Sequence, residues 1–96
     1  MAKTYWIGTY YSVSNPEKLA AYVLLAGPAT LSGRGTFVVR GMPAKTYEAG
    51  LNQRTVVSAL DSLAQAIDTH ASPGYQAALA ALGDGAERDI RLVEGL

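Results

Sequence analysis

Along "KTYWIGTYYS" the side chains split into two alternating sets. Tyr5, Ile7, Thr9 and Tyr11 fall on one side; Trp6, Gly8, Tyr10 and Ser12 fall on the other. Aromatic and β-branched residues at period two predict a strand from about Lys3 to Ser12. Neither side carries a charge, so both are expected to be covered. The period then changes. In "SNPEKLAAYVLLAG", Ser14 or Asn15 caps a helix, Pro16 sits in its first turn and Glu17 suits the positive end of the helix dipole. Leu19, Tyr22, Val23 and Ala26 follow at helical spacing. Gly27-Pro28 is expected to bend or restart this helix, which ends near Ser32-Gly33.

"GTFVVRGM" predicts a second strand over about Gly35–Gly41, followed by a loop or short strand through "PAKTYEAGLNQ". "RTVVSAL" predicts a third strand over about Arg54–Leu60. Asp61 or Ser62 caps a helix through "SLAQAIDTHA", and Ser72-Pro73 opens another through "YQAALAALG". Gly83, Asp84 and Gly85 end it, and "RDIRLVEGL" closes the chain as a fourth strand. The order β-α-β-β-α-β is the split-βαβ, ferredoxin-like pattern of α+β proteins, with a four-stranded antiparallel sheet in one domain over residues 1–96. Helices cover one sheet face. The other is apolar as well, which predicts that two copies press their sheets together in a homodimer, a dimeric α+β barrel.

Composition narrows the function. The chain has 96 residues, 49% hydrophobic and only 17% charged, which fits one small domain with part of its surface covered by a partner subunit. Eight basic and eight acidic residues cancel, with no Lys/Arg run, so no nucleic-acid partner is expected. With no cysteine, disulfides, thiolate catalysis and zinc-cysteine sites are excluded. "LAAYVLLAGPA" is too short to span a bilayer and "MAKTYWIGTYY" is no signal peptide, so a cytoplasmic protein without a membrane partner is expected.

Candidate chemistry falls on few residues. His70 is the only histidine, the residue type that changes charge near neutrality. It fits a helix-end residue, a general acid-base or a haem ligand. One histidine without cysteine builds no typical metal site from one chain. Arg40 and Arg54 sit in or beside apolar strands, with Glu48 and Glu94 as the available carboxylates. They form either an ion-pair network or a site for an anionic group such as a carboxylate or enolate. Six tyrosines and one tryptophan stand against a single phenylalanine. Trp6, Tyr10, Tyr22 and Tyr75 fit either core packing or an aromatic cavity between sheet and helices. Tyr75 stands at the mouth of the helix that Ser72-Pro73 opens, beside backbone N–H groups that can hold an oxygen.

The pieces "AKTYWI", "YVLLAGPA", "FVVRG", "YEAGLNQRTVV", "SPGYQAA" and "LVEG", in this order, resemble domain-of-unknown-function family 1330, small dimeric α+β barrel proteins of bacteria. The family's pattern carries over at Trp6, Pro28, Arg40, Gly41, Glu48, Arg54, Ser72, Pro73, Tyr75, Gln76, Glu94 and Gly95. It departs at Ala59, where a strand glutamate is usual, at Leu51 for a tryptophan, at Gly74 for a glutamate, and at His70, where an aromatic residue is common. The resemblance implies the fold and the dimer and brings no established activity. Relatives of the fold include cofactor-free monooxygenases, lactone isomerases, aromatic polyketide cyclases and some haem enzymes. The expectation is therefore a small enzyme with no cofactor and no metal, acting on an aromatic or enolisable carbonyl compound. His70, Arg40 and Tyr75 are its expected catalytic residues. Trp6, Tyr10, Tyr22, Arg54 and Glu94 are its expected ligand-binding residues. The alternative is a non-catalytic ligand-binding or stress-related dimeric module.

Overall fold

A computed structural model describes residues 2–96. The chain runs β1 (Thr4–Val13), α1 (Pro16–Ser32), β2 (Thr36–Gly41), β3 (Thr55–Leu60), α2 (Leu63–Ala71), α3 (Pro73–Leu82) and β4 (Ala86–Glu94). The strands form one antiparallel sheet in the order β2-β3-β1-β4, which is the ferredoxin-like arrangement.

Local chemistry sets the element ends. Asn15 caps α1, its side chain accepting from the Lys18 N–H at 3.1 Å, and Pro16 occupies the first turn. The restart expected at Gly27-Pro28 does not occur: α1 is continuous through Pro28 to Ser32. Pro28 lies on the exposed side, as does Leu24, whose carbonyl has no N–H from Pro28 to accept, so the proline leaves no buried carbonyl without a partner. Ser72 serves two helices. Its hydroxyl donates to the Thr69 carbonyl at 2.7 Å, closing α2, and accepts from the Tyr75 N–H at 3.3 Å, opening α3. At Gly33, behind α1, an added Cβ would lie 2.1 Å from Thr69 Oγ1, so a side chain is excluded where α1 ends against α2.

The core lies between the helices and one sheet face. Trp6 and Leu60 come from the sheet; Tyr22, Ala26, Ala29, Ala66, Tyr75, Ala78 and Leu82 come from the helices. The alanines let the helices approach closely, and a Cβ on Gly74 would stand 3.5 Å from that of Ala29. The opposite face of β1 carries Tyr5, Ile7, Thr9 and Tyr11, half-buried or exposed, and no helix covers it. Val39 and Val93 extend this apolar surface, about half exposed.

Candidate functional site

Alternation along the strands builds a cavity beneath α1. Trp6, Gly8 and Tyr10 of β1 face the helices. Their partners Ser58 and Val56 on β3, and Arg88 and Ile90 on β4, face the same way. On β2 strict alternation would separate Phe37 from Arg40. A bulge between Phe37 and Val39 adds one residue, so Phe37 pairs with Ser58, Arg40 pairs with Val56, and both line the cavity. Tyr22, Ala26 and Gly27 of α1 and Tyr75 of α3 form the roof. Gly8 supplies part of the space, since a Cβ there would stand 3.2 Å from Ile90 Cδ1.

The cavity measures about 40 Å³, room for roughly three waters at the 10–15 Å³ each requires. Two broader grooves, about 510 Å³ between α1 and α2–α3 and about 460 Å³ on the open sheet face, are shallow and open to solvent. The smaller space is the better candidate because it is less open than the two grooves and its polar groups converge.

Those groups centre on Arg88. Its Nη1 donates to the hydroxyls of Tyr10 at 3.1 Å and Tyr22 at 3.0 Å, and its Nη2 donates to that of Tyr75 at 3.2 Å. The Tyr22 and Tyr75 hydroxyls also bond each other at 2.8 Å. The guanidinium lies 4.4 Å from the centre of the Tyr22 ring and 5.3 Å from that of Tyr10. Burial works against the Arg88 charge, but the oxygens of Tyr22, Tyr75 and Tyr10 outweigh it and raise its pKa. Tyr75, only 1% exposed, is pushed well above the ordinary tyrosine value, first by burial and then by Tyr22, with Arg88 opposing. It therefore stays protonated and acts as a donor, not a base.

Neither acidic neighbour of Arg88 in sequence neutralises it: Glu87 is exposed, and no salt bridge to Arg88 forms among the described residues. Asp89 points to the opposite sheet face, where it accepts from Tyr11, from Thr9 at 3.1 Å and from Arg91. Hydrogen bonding from Tyr11 is the main cause that holds its carboxyl below the usual range.

The other expected residues fall in different places. Trp6, Tyr10, Tyr22, Tyr75, Arg40 and Arg54 all line the cavity. The expected ion pairs are not formed: among the described residues, no salt bridge joins Arg40 or Arg54 to Glu48 or Glu94. Glu48 stands exposed in the β2–β3 loop at φ 53°. Glu94, also exposed, pairs with Thr4, while Arg88 pairs with Tyr10; the two stand six positions apart along β4, roughly 20 Å. Arg40 lies over the Phe37 ring at 4.6 Å. Arg54 Nε is buried without a hydrogen-bond partner. His70 is exposed and does not line the cavity; it packs behind it, 5.6 Å from the Trp6 ring and 5.1 Å from that of Tyr75. Arg88 escaped the sequence reading. Its signal was its phase: it alternates with Ile90 and Leu92, opposite Glu87, Asp89 and Arg91.

Among the described residues, no cluster of His, Cys, Asp and Glu could hold a metal ion, and no helix is long and apolar enough to cross a membrane.

The model of a family described as a domain of unknown function, DUF1330, matches residues 3–96. No curated protein sequence matches the chain. Among solved structures, a Rhodopseudomonas palustris protein of unknown function, RPA0582, superposes with a TM-score of 0.79 at 14% identity, over 99% of this chain and 83% of that one. SnoaB, a cofactor-independent oxygenase from Streptomyces nogalater, gives 0.66 at 13% identity, over 100% and 95%. A dimeric ferredoxin-like protein of unknown function from Thermobifida fusca gives 0.64 at 18% identity, over 98% and 92%. At these identities the likeness is one of fold.

Proposed function

The chain belongs to the DUF1330 family, and from that premise we propose that it is a cytoplasmic homodimer whose cavity binds a small aromatic or enolisable carbonyl compound and stabilises its oxyanion without a cofactor. The observation that carries this reading is the Arg88 guanidinium, held by three tyrosine hydroxyls inside a partly enclosed aromatic space. A carbonyl oxygen entering there meets a fixed cation and the protonated Tyr75. Such donors, preset in a partly enclosed site, favour the charge that develops as an enolate forms. The likeness of fold to a cofactor-independent oxygenase accords with this chemistry.

A second reading rests on the lining itself. No Asp, Glu or His is among the cavity's lining residues, so the proton must leave to water or to the ligand's own base. This favours a non-catalytic binding module, or an enzyme restricted to readily ionised substrates.

Phenylpyruvate, a small enolisable carbonyl compound, separates the two. The enzyme predicts solvent-deuterium exchange at its methylene above background, lost in Arg88→Gln. Binding with no added exchange supports the module. Neither binding nor exchange contradicts both. The dimer rests on the uncovered face with Ile7, Val39 and Val93, and on Met42, Tyr47 and Leu51 standing exposed in the adjoining loop. Sedimentation velocity should give a species of twice the chain mass; a monomer at micromolar concentration would refute it.

A further inference from the structure

Three guanidinium groups, those of Arg40, Arg54 and Arg88, line one cavity whose lining holds no carboxylate. The whole chain is formally neutral, so its charges are segregated. The three cations are not equally provided for. Arg88 has its three phenol acceptors. Arg40 is exposed, lies on the Phe37 ring and has water at hand. Arg54 is different. It precedes β3, anchored by its carbonyl, which accepts from the Tyr10 N–H at 3.1 Å. Its guanidinium reaches to 6.0 Å from the Tyr10 ring, whose centre is 5.3 Å from that of Arg88. Its Nε–H is buried and donates to nothing. A buried donor on a cation without a counterion is costly unless an anion completes it.

We infer that the ligand of this cavity is itself an anion: a small planar compound bearing a carboxylate for Arg54, beside a phenol or enol oxygen for Arg88 and the tyrosines. The inference rests on the small-molecule reading above and names the substrate class for it. A carboxylate is the natural complement of a guanidinium, because its two oxygens match the planar fork. The two guanidiniums about the single Tyr10 ring place the acidic groups on neighbouring parts of one ligand. At about 40 Å³ the closed part of the cavity is smaller than an aromatic ring, so such a ligand seats its acidic groups there and extends outward beside the exposed Arg40, past the small walls Gly8, Ala26 and Gly27. Such a ligand arrives already charged, which also accounts for a cavity without a general base among its lining side chains.

The test uses three probes on the purified protein by titration calorimetry: salicylate, its neutral carboxamide salicylamide, and phenol. Salicylate should bind about tenfold or more tighter than salicylamide, as a charge-assisted hydrogen bond predicts, and added salt should narrow the gap. Arg54→Gln should bring the two affinities together, chiefly by weakening salicylate. Salicylamide binding as tightly as salicylate to the unaltered protein would overturn the inference and leave the small-molecule site standing. Binding of none of the three would overturn both. Should Arg54→Gln fail to fold, Arg54→Lys takes its place, expected to keep the preference for the anion but weaken it; the comparison on the unaltered protein decides in either case.

Discussion

Tyr75→Phe removes one hydroxyl from the centre of the cavity, and its effect on stability should depend on pH. At pH 8 the change deletes the bonds to Tyr22 at 2.8 Å and to Arg88 at 3.2 Å. Tyr22 keeps Arg88 at 3.0 Å, and Arg88 keeps Tyr10 at 3.1 Å. The remaining partners limit the loss to about 1 kcal/mol, the net worth of one hydrogen bond. At high pH the balance changes. Folded Tyr75 holds its proton above the ordinary value of 10.0, chiefly through burial, whereas the unfolded chain releases it near that value. The folded state then binds more protons than the unfolded one, so stability falls as pH rises above 10. The loss reaches about 1.4 kcal/mol at pH 11, one unit above the unfolded pKa. Phenylalanine has no proton to lose. The deficit of the variant should therefore close between pH 8 and pH 11. Urea unfolding at several pH values measures it. A deficit that stays constant or widens to pH 11 refutes a buried, protonated Tyr75.

Gly8→Val should fill the cavity: its side chain meets the flexible end of Ile90, costing about 1–3 kcal/mol, and calorimetry should show salicylate binding lost. Pro28→Ala restores a backbone donor within a helix that is already continuous, so the urea midpoint should rise by the equivalent of about 1–3 kcal/mol; no change would mean that α1 is broken there. Gly33→Ala drives a methyl into Thr69 and should cost at least about 2 kcal/mol in the same assay.

The strands and caps were legible because period-two alternation and Ser/Asn-Pro starts are local signals. The two faces of β1 fell as the alternation predicts, and Ser72-Pro73 opens a helix with Tyr75 buried behind its cap. The question of how Arg40 meets Phe37 had no answer in the sequence, since it depends on a bulge whose place is set by pairing with β3. Arg88 lay hidden in "AERDIRLVE", read as a strand without asking which face each charge takes; the phase shared with Ile90 and Leu92 marks it as inward. The partners proposed for Arg40 and Arg54 failed for a geometric reason. Glu48 is held in an exposed loop and Glu94 lies at the far end of β4. Sequence distance gave His70 no side: its helix sets it behind the Trp6 and Tyr75 rings rather than in the space before them.

The claim on which the rest depends is that the cavity's guanidiniums receive an anion. Nitrogen-15 spectra of the arginine side-chain N–H groups report this at the atoms concerned. During a salicylate titration, the Arg54 and Arg88 signals should move together and saturate at one affinity. Signals that stay fixed at both residues while surface groups respond would contradict it.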